Sequence, residues 1–116
     1  MTPQQAIAAL DRGIWTAGQS IALRRYTGTS AESRVYLEVE ARAVVTGFAP
    51  AELVDGIKQG DRTLIMSPTE MTRGKWCWPP RIGDKAVIGG RETNVEAVTL
   101  REIGDVLVRI EMRVRG

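Results

Sequence analysis

Lys85-Ala86-Val87-Ile88-Gly89-Gly90-Arg91-Glu92-Thr93-Asn94-Val95-Glu96-Ala97-Val98-Thr99 is the stretch whose reading decides the fold. Two strand-like runs, 85–88 and 92–99, flank Gly89-Gly90, a pair that accepts the positive φ angles of a tight hairpin. A second turn pair, Gly104-Asp105, leads into Val106, Val108, Ile110, Met112 and Val114, alternating with Leu107, Arg109, Glu111, Arg113 and Arg115. Alternation of period two means one buried and one wetted face.

The same period extends toward the N-terminus. In the run from Asp61 to Ser67, Leu64 and Met66 oppose Ile65, and in a longer run Val35, Leu37, Val39, Ala41, Ala43 and Val45 oppose Tyr36, Glu38, Glu40 and Arg42. Ile21, Leu23 and Arg25 alternate with Ala22, Arg24 and Tyr26 in a further strand. The mixed charges of Glu38-Glu40-Arg42 and Arg109-Glu111-Arg113 predict that these two strands are neighbours pairing charges across a ladder. Ahead of the strands, Thr2 as N-cap, Pro3 at the first helical position and Gln5 in the capping-box position start a helix over about residues 3–14. Ile7, Leu10 and Ile14 form its apolar stripe, predicting that it covers the sheet, and Gly13 or Gly18 ends it. Three long loops remain, 27–34, 48–60 and 68–81, the last with room for one helical turn at Thr69 to Met71. One helix and about six strands give a mainly β chain, a single domain over 1–116: a small antiparallel β-barrel or sandwich with an N-terminal α-helix.

Composition narrows the function classes. The 116 residues are 43% hydrophobic and 26% charged, with no histidine and a single cysteine, Cys77. The chain therefore lacks the usual proton shuttle near neutral pH and any internal disulfide. A net charge of +2 is too small for a dedicated nucleic-acid binder. Thirteen of the 16 cations are arginine, and arginine's planar fork suits ordered pairing at protein interfaces. No apolar run approaches the roughly 18 residues of a membrane helix, so no membrane association is expected.

The constellations that could carry chemistry are weak. Gly74-Lys75 lacks the upstream glycine and the following hydroxyl of a phosphate loop. Glu92, Asn94 and Glu96 share a strand face without the wrapping ligands of a calcium site. Cys77 has no histidine to activate it. The expectation is a protein that is not an enzyme and uses no metal or cofactor. Of the six aromatics, Tyr26 and Tyr36 lie in strands, and Glu38 and Glu40 stand between Tyr36 and Arg42, which argues against single-stranded nucleic acid. That binding module is the alternative from a different class.

The most unusual segment is Trp76-Cys77-Trp78-Pro79-Pro80-Arg81. Two readings stay open: a proline-stiffened interface anchor built on Trp76, Trp78 and Arg81, or rings folded back to plug the barrel end. A second excursion, 49–58, carries Leu53, Val54 and Ile57 beside Lys58, more apolar surface than a loop needs. It orders against a partner or reaches a channel, or it tucks onto its own core.

Gly83-Asp84, the apolar strand 85–88, the glycine turn, Arg91 and the strand through Val98, preceded by an N-terminal helix leading into strands, resemble the head-tail joining (stopper, head-completion) proteins of tailed bacteriophages and gene transfer agents. The resemblance covers most of the chain in length and element order. It implies a small barrel assembled as a homo-oligomeric ring of six or twelve copies. Such a ring sits at the virion neck after assembly in the host cytoplasm, between a portal or adaptor protein and a tail-terminator or tail-tube protein, with loops near packaged DNA. A neck adaptor or tail-terminator subunit is the alternative in the same setting. No residue role transfers from the family to this sequence.

Overall fold

The computed structural model describes residues 2–26, 36–47, 61–70 and 79–116. Helix α1 spans Pro3–Ala17 and is followed by six strands: β1 (Gln19–Tyr26), β2 (Tyr36–Gly47), β3 (Arg62–Met66), β4 (Lys85–Ile88), β5 (Arg91–Ile103) and β6 (Val106–Arg115). All pairings are antiparallel and close a barrel in the order β1-β2-β3-β6-β5-β4. Of the barrel and the sandwich, the barrel is the one formed.

Both hairpins form at the expected turn pairs, Gly89-Gly90 and Gly104-Asp105. Gly89 and Gly90 have φ of 59° and 80°, and Gly104 and Asp105 have 52° and 65°. Positive φ at both central residues is the two-residue turn whose twist matches that of the strands, and aspartate tolerates it where a branched side chain would not. These turns set Ile88 opposite Arg91 and Ile103 opposite Val106. β5 runs four residues beyond the expected Thr99, because β6 alone carries it there.

Alternation fills the interior. Leu23, Leu64, Met66, Ile110 and Val114 are inaccessible to solvent, with Ala41, Ala43 and Ala86 among them. Small residues facing large ones are how a narrow barrel is filled without strain. Thr93 is also buried, and its hydroxyl is satisfied by donating to the Ala86 carbonyl at 2.7 Å.

Two expectations are corrected. β2 and β6 are not neighbours, because β3 lies between them. Their charges are neutralised elsewhere: Glu38 by Arg24 of β1, and Arg113 and Arg115 by Asp61. Charge alternation marks an exposed face but does not name its neighbour. The helix also continues past Gly13 for one further turn, to Ala17. Thr2 and Gln5 form the complete capping box at its start, and Gly18 caps its end through an N–H donated to the Ile14 carbonyl at 2.7 Å.

The helix docks on the barrel through its apolar stripe. Only Ile14 of its stripe is fully buried, with Ile7 and Leu10 half-buried. α1 touches β6 on one side and β2 on the other. β3 is only five residues long, so β2 and β6 outrun it, and α1 sits beside the gap thus left. Gly18 makes the tight turn from helix to barrel: a Cβ there would stand 2.4 Å from the Ile14 carbonyl oxygen and 3.0 Å from that of Ala43. Both neighbours are backbone and cannot swing aside. Gly18→Ala should therefore cost about 1–3 kcal/mol, read as a lower urea midpoint at unchanged slope. An unchanged midpoint would show that α1 is free to lift from the barrel.

Candidate assembly surface

Two aspartates stand where the long excursions rejoin the barrel. Asp84 follows the 68–81 loop and precedes β4. Its carboxylate accepts from Arg25 Nε at 2.8 Å and Nη2 at 2.7 Å, and from the Arg81 backbone N–H at 3.0 Å. Arg25 Nη2 also donates to the Pro79 carbonyl at 3.1 Å. Arg25 lies in the inward phase of β1, in register with Leu37 and two residues beyond Leu23. A buried ion pair thus stands at that point of the barrel where the interior pattern would place an apolar side chain, with side-chain exposures of 12% and 3%.

Asp61 repeats the arrangement after 48–60. It is buried and accepts from Arg115 Nε at 2.9 Å and Nη2 at 3.0 Å, with Arg113 Nε at 3.8 Å. These hydrogen bonds are the first cause that pushes the Arg115 guanidinium above its ordinary pKa. Bidentate geometry holds a carboxylate in orientation as well as position. Each excursion therefore returns to the barrel at a fixed point.

Of the residues singled out in the sequence, Leu53, Val54, Ile57, Lys58, Trp76 and Trp78 lie outside the described residues, as do Val35, Met71, Gly74-Lys75 and Cys77. Pro79, Pro80 and Arg81 are described. Pro80 is buried and Pro79 half-buried, so both serve the root of the loop, while Arg81 is exposed. Residues 68–70 are helical, as the Thr69 turn predicts. Next to Arg81, Ile82 is 67% exposed, and on the helix Trp15 is 77% exposed under the Arg42 guanidinium, 5.3 Å from its ring centre. Sequence reading missed both. Trp15 sits about 100° around the helix from the middle of the Ile7-Leu10-Ile14 stripe, and a large aromatic off the stripe was the available signal.

The outer face of β1 and β2 is self-contained. Arg24 donates to Glu38 at 2.8 Å and Glu92 at 3.2 Å and lies 4.6 Å from the Tyr36 ring centre. Tyr26 packs edge-on against Tyr36 at 5.4 Å and donates to Glu92 at 2.6 Å. Lys85 donates to Asn94, and Glu96 stands 3.9 Å from Arg115. Glu38, Glu92 and Glu96 thus have basic or hydroxyl neighbours, and among the described residues no cluster of three or more metal-ligating side chains forms.

The hydrogen bond from Tyr26, followed by that from Arg24, holds the Glu92 carboxyl below its ordinary value of 4.5. A carboxylate with a lowered folded pKa contributes stability that is complete above the unfolded value and is lost as pH falls through the folded one. Tyr26→Phe should move the Glu92 titration up toward 4.5 without reaching it, since Arg24 remains. Side-chain carboxyl NMR reads this directly, and a titration identical to wild type would refute the assignment.

No helix of the described residues is long and apolar enough to cross a membrane. Compared with known proteins, the chain matches no family model, and no curated protein matches it.

Proposed function

We propose that this chain is a structural subunit of a phage head-tail connector ring, which closes the DNA-filled head and offers the tail a docking surface. The supporting observation is the pair of arginine–aspartate clamps, each built on a buried carboxylate. They tie the excursions 48–60 and 68–81 to a rigid closed barrel at fixed points. Long segments held this way suit contacts above and below a ring, toward a portal or adaptor on the head side and a tail-terminator or tail-tube protein on the tail side. The exposed Trp15 and Ile82 add apolar anchors of the kind that dominate protein interfaces. The function needs shape and self-association, not chemistry.

The test uses DNA-filled heads that carry a portal but no tail. Purified chain should bind them as a ring visible by electron microscopy, keep the DNA inside and permit tail joining. Binding held by apolar anchors should change little between about 50 and 200 mM salt, whereas phosphate binding would weaken steeply over that range. Deleting Ala51 to Lys58 should leave ring binding intact and release DNA. Full DNA retention by the deletion variant would remove that excursion from the mechanism, and failure of the wild-type chain to bind the heads would overturn the reading.

A further inference from the structure

Helix α1 carries a projecting indole on one flank and a hollow on the other. On the β2 side Trp15 is 77% exposed. Arg42 steadies it, with the guanidinium 5.3 Å from the ring centre and Nη2 donating to the Gly18 carbonyl at 2.8 Å and the Trp15 carbonyl at 3.4 Å. A large apolar side chain held out in water loses little further freedom when it docks.

On the β6 side, Ala6, Ala9, Leu10 and Gly13 of the helix and Val108 and Arg109 of β6 line an open groove of about 380 Å³. Apart from Arg109 its walls are apolar and mostly small. A Cβ built on Gly13 would meet nothing within 4 Å, so the groove has free space at that residue. At 3.6 residues per turn, Trp15 lies about 150° around α1 from the middle of Ala6, Ala9 and Gly13. One copy therefore cannot place its indole in its own groove, and two copies cannot exchange indoles about a two-fold axis.

Charge agrees with shape. The hollow beside Trp15 is lined by Asp11 and Glu70 with one cation, Arg42. At the groove, Arg109 stands directly opposite Arg101, and the two share one carboxylate, Glu111, at 2.8 Å and 3.7 Å. Like charges directly opposed on a sheet cost stability. Among these side chains the indole flank has the acid in excess and the groove flank the base, so unlike flanks attract and like flanks repel.

We propose that Trp15 of one copy inserts into the α1–β6 groove of the next. This rests on the ring reading above and specifies its subunit contact. The indole packs against Ala6, Ala9, Gly13 and Val108, and Arg109 at the rim supplies a second cation for the aromatic ring. A tryptophan in a desolvated pocket is the kind of anchor that dominates interface energies. Because indole and groove lie on opposite flanks, the contact is heterologous and propagates from copy to copy, closing where the rotation closes.

The test places benzoylphenylalanine, a photoreactive aromatic residue, at position 15 of the full chain. A mixture of isotope-labelled and unlabelled chain is irradiated, free at high concentration and bound to portal-bearing heads, and the links are mapped by mass spectrometry. The expected links join labelled to unlabelled copies and fall within residues 6–13 or at the start of β6. In parallel, Trp15→Ala and Gly13→Leu should each weaken self-association by roughly tenfold or more with unchanged circular dichroism. The first removes the indole, and the second fills the groove from a position that has room for a side chain and gains helix propensity. Rings on heads with both substitutions silent, or with links elsewhere, overturn this contact and leave the ring reading standing. Links into the groove between copies of a chain that does not bind heads support the contact and overturn the ring reading. Links confined to one copy or to a portal protein, or an effect from only one of the two substitutions, overturn the contact, as does a chain that neither associates nor links.

Discussion

Replacing Asp84 with alanine should lower the melting temperature by roughly 12–20 °C, one of the two largest effects expected from single substitutions in this chain. The estimate follows from what the substitution leaves behind. Arg25 would lose both of its carboxylate hydrogen bonds while its side chain stays 12% exposed, and would keep its bond to the Pro79 carbonyl at 3.1 Å. The Arg81 N–H would lose its acceptor as well. Breaking a buried pair from one side typically costs about 3–5 kcal/mol, because an uncompensated charge stays in the interior. At about 4 °C per kcal/mol for a domain of this size, that gives the stated range. The pair as a whole is worth much less than this. Arg25→Met with Asp84→Leu should recover at least half of the loss, since a well-packed apolar pair can replace a buried ion pair at little net cost. The double variant should nonetheless loosen the 68–81 excursion, seen as faster proteolysis there than in wild type. A drop of less than about 3 °C for Asp84→Ala would show that Arg25 reaches solvent or another acid and that the clamp does not hold the loop.

The barrel strands were legible in the sequence because their signal is local. Alternation along Ile21 to Leu23, Val39 to Ala43, Leu64 to Met66 and Ile110 to Val114 needs only a pleated strand with one buried face, and these are the positions that fill the interior. Gly89-Gly90 was equally plain, since its dihedral demand is met within two residues. The partners of each strand were not legible. Nothing in Glu38-Glu40-Arg42 says whether its cations come from β1 or β6, because the choice depends on closure of the whole sheet. The clamps were missed for a related reason. Gly60-Asp61-Arg62 and Gly83-Asp84-Lys85 are the same small motif at the head of two strands. Their common purpose appears only when Arg115 and Arg25, 54 and 59 residues away in sequence, fold over them. Leu37 illustrates the converse. Its phase assigns it inward, yet it is 45% exposed, because strand length is set by where the chain departs from the sheet. The inward phase of Leu100 was not legible at all: the register shift between Val95 and Ala97 reverses the phase in which Glu92 and Asn94 face outward.

That shortness makes Leu64→Ala the second large effect, about 3–5 kcal/mol, at the upper end of the range for core leucine truncations. β3 is five residues long and is the sole link between β2 and β6 in the closed sheet. Its inward side chains include Leu64 and Met66, both inaccessible to solvent. Leu64 stands opposite Val45 on one side and Met112 on the other, so removing its isobutyl group withdraws contacts from both ladders at once. A longer strand would spread that loss over further pairs, but β3 has only Met66 left. The cost should therefore be concentrated. Amide exchange should accelerate most across β2–β3 and β3–β6, with the β5–β6 hairpin least affected, because its nine paired positions do not pass through β3. Met112→Ala, on a strand paired along both edges, should lower stability by less and speed exchange evenly. Equal protection losses across all ladders in Leu64→Ala would mean that the barrel opens as one unit and that β3 is not its weakest seam.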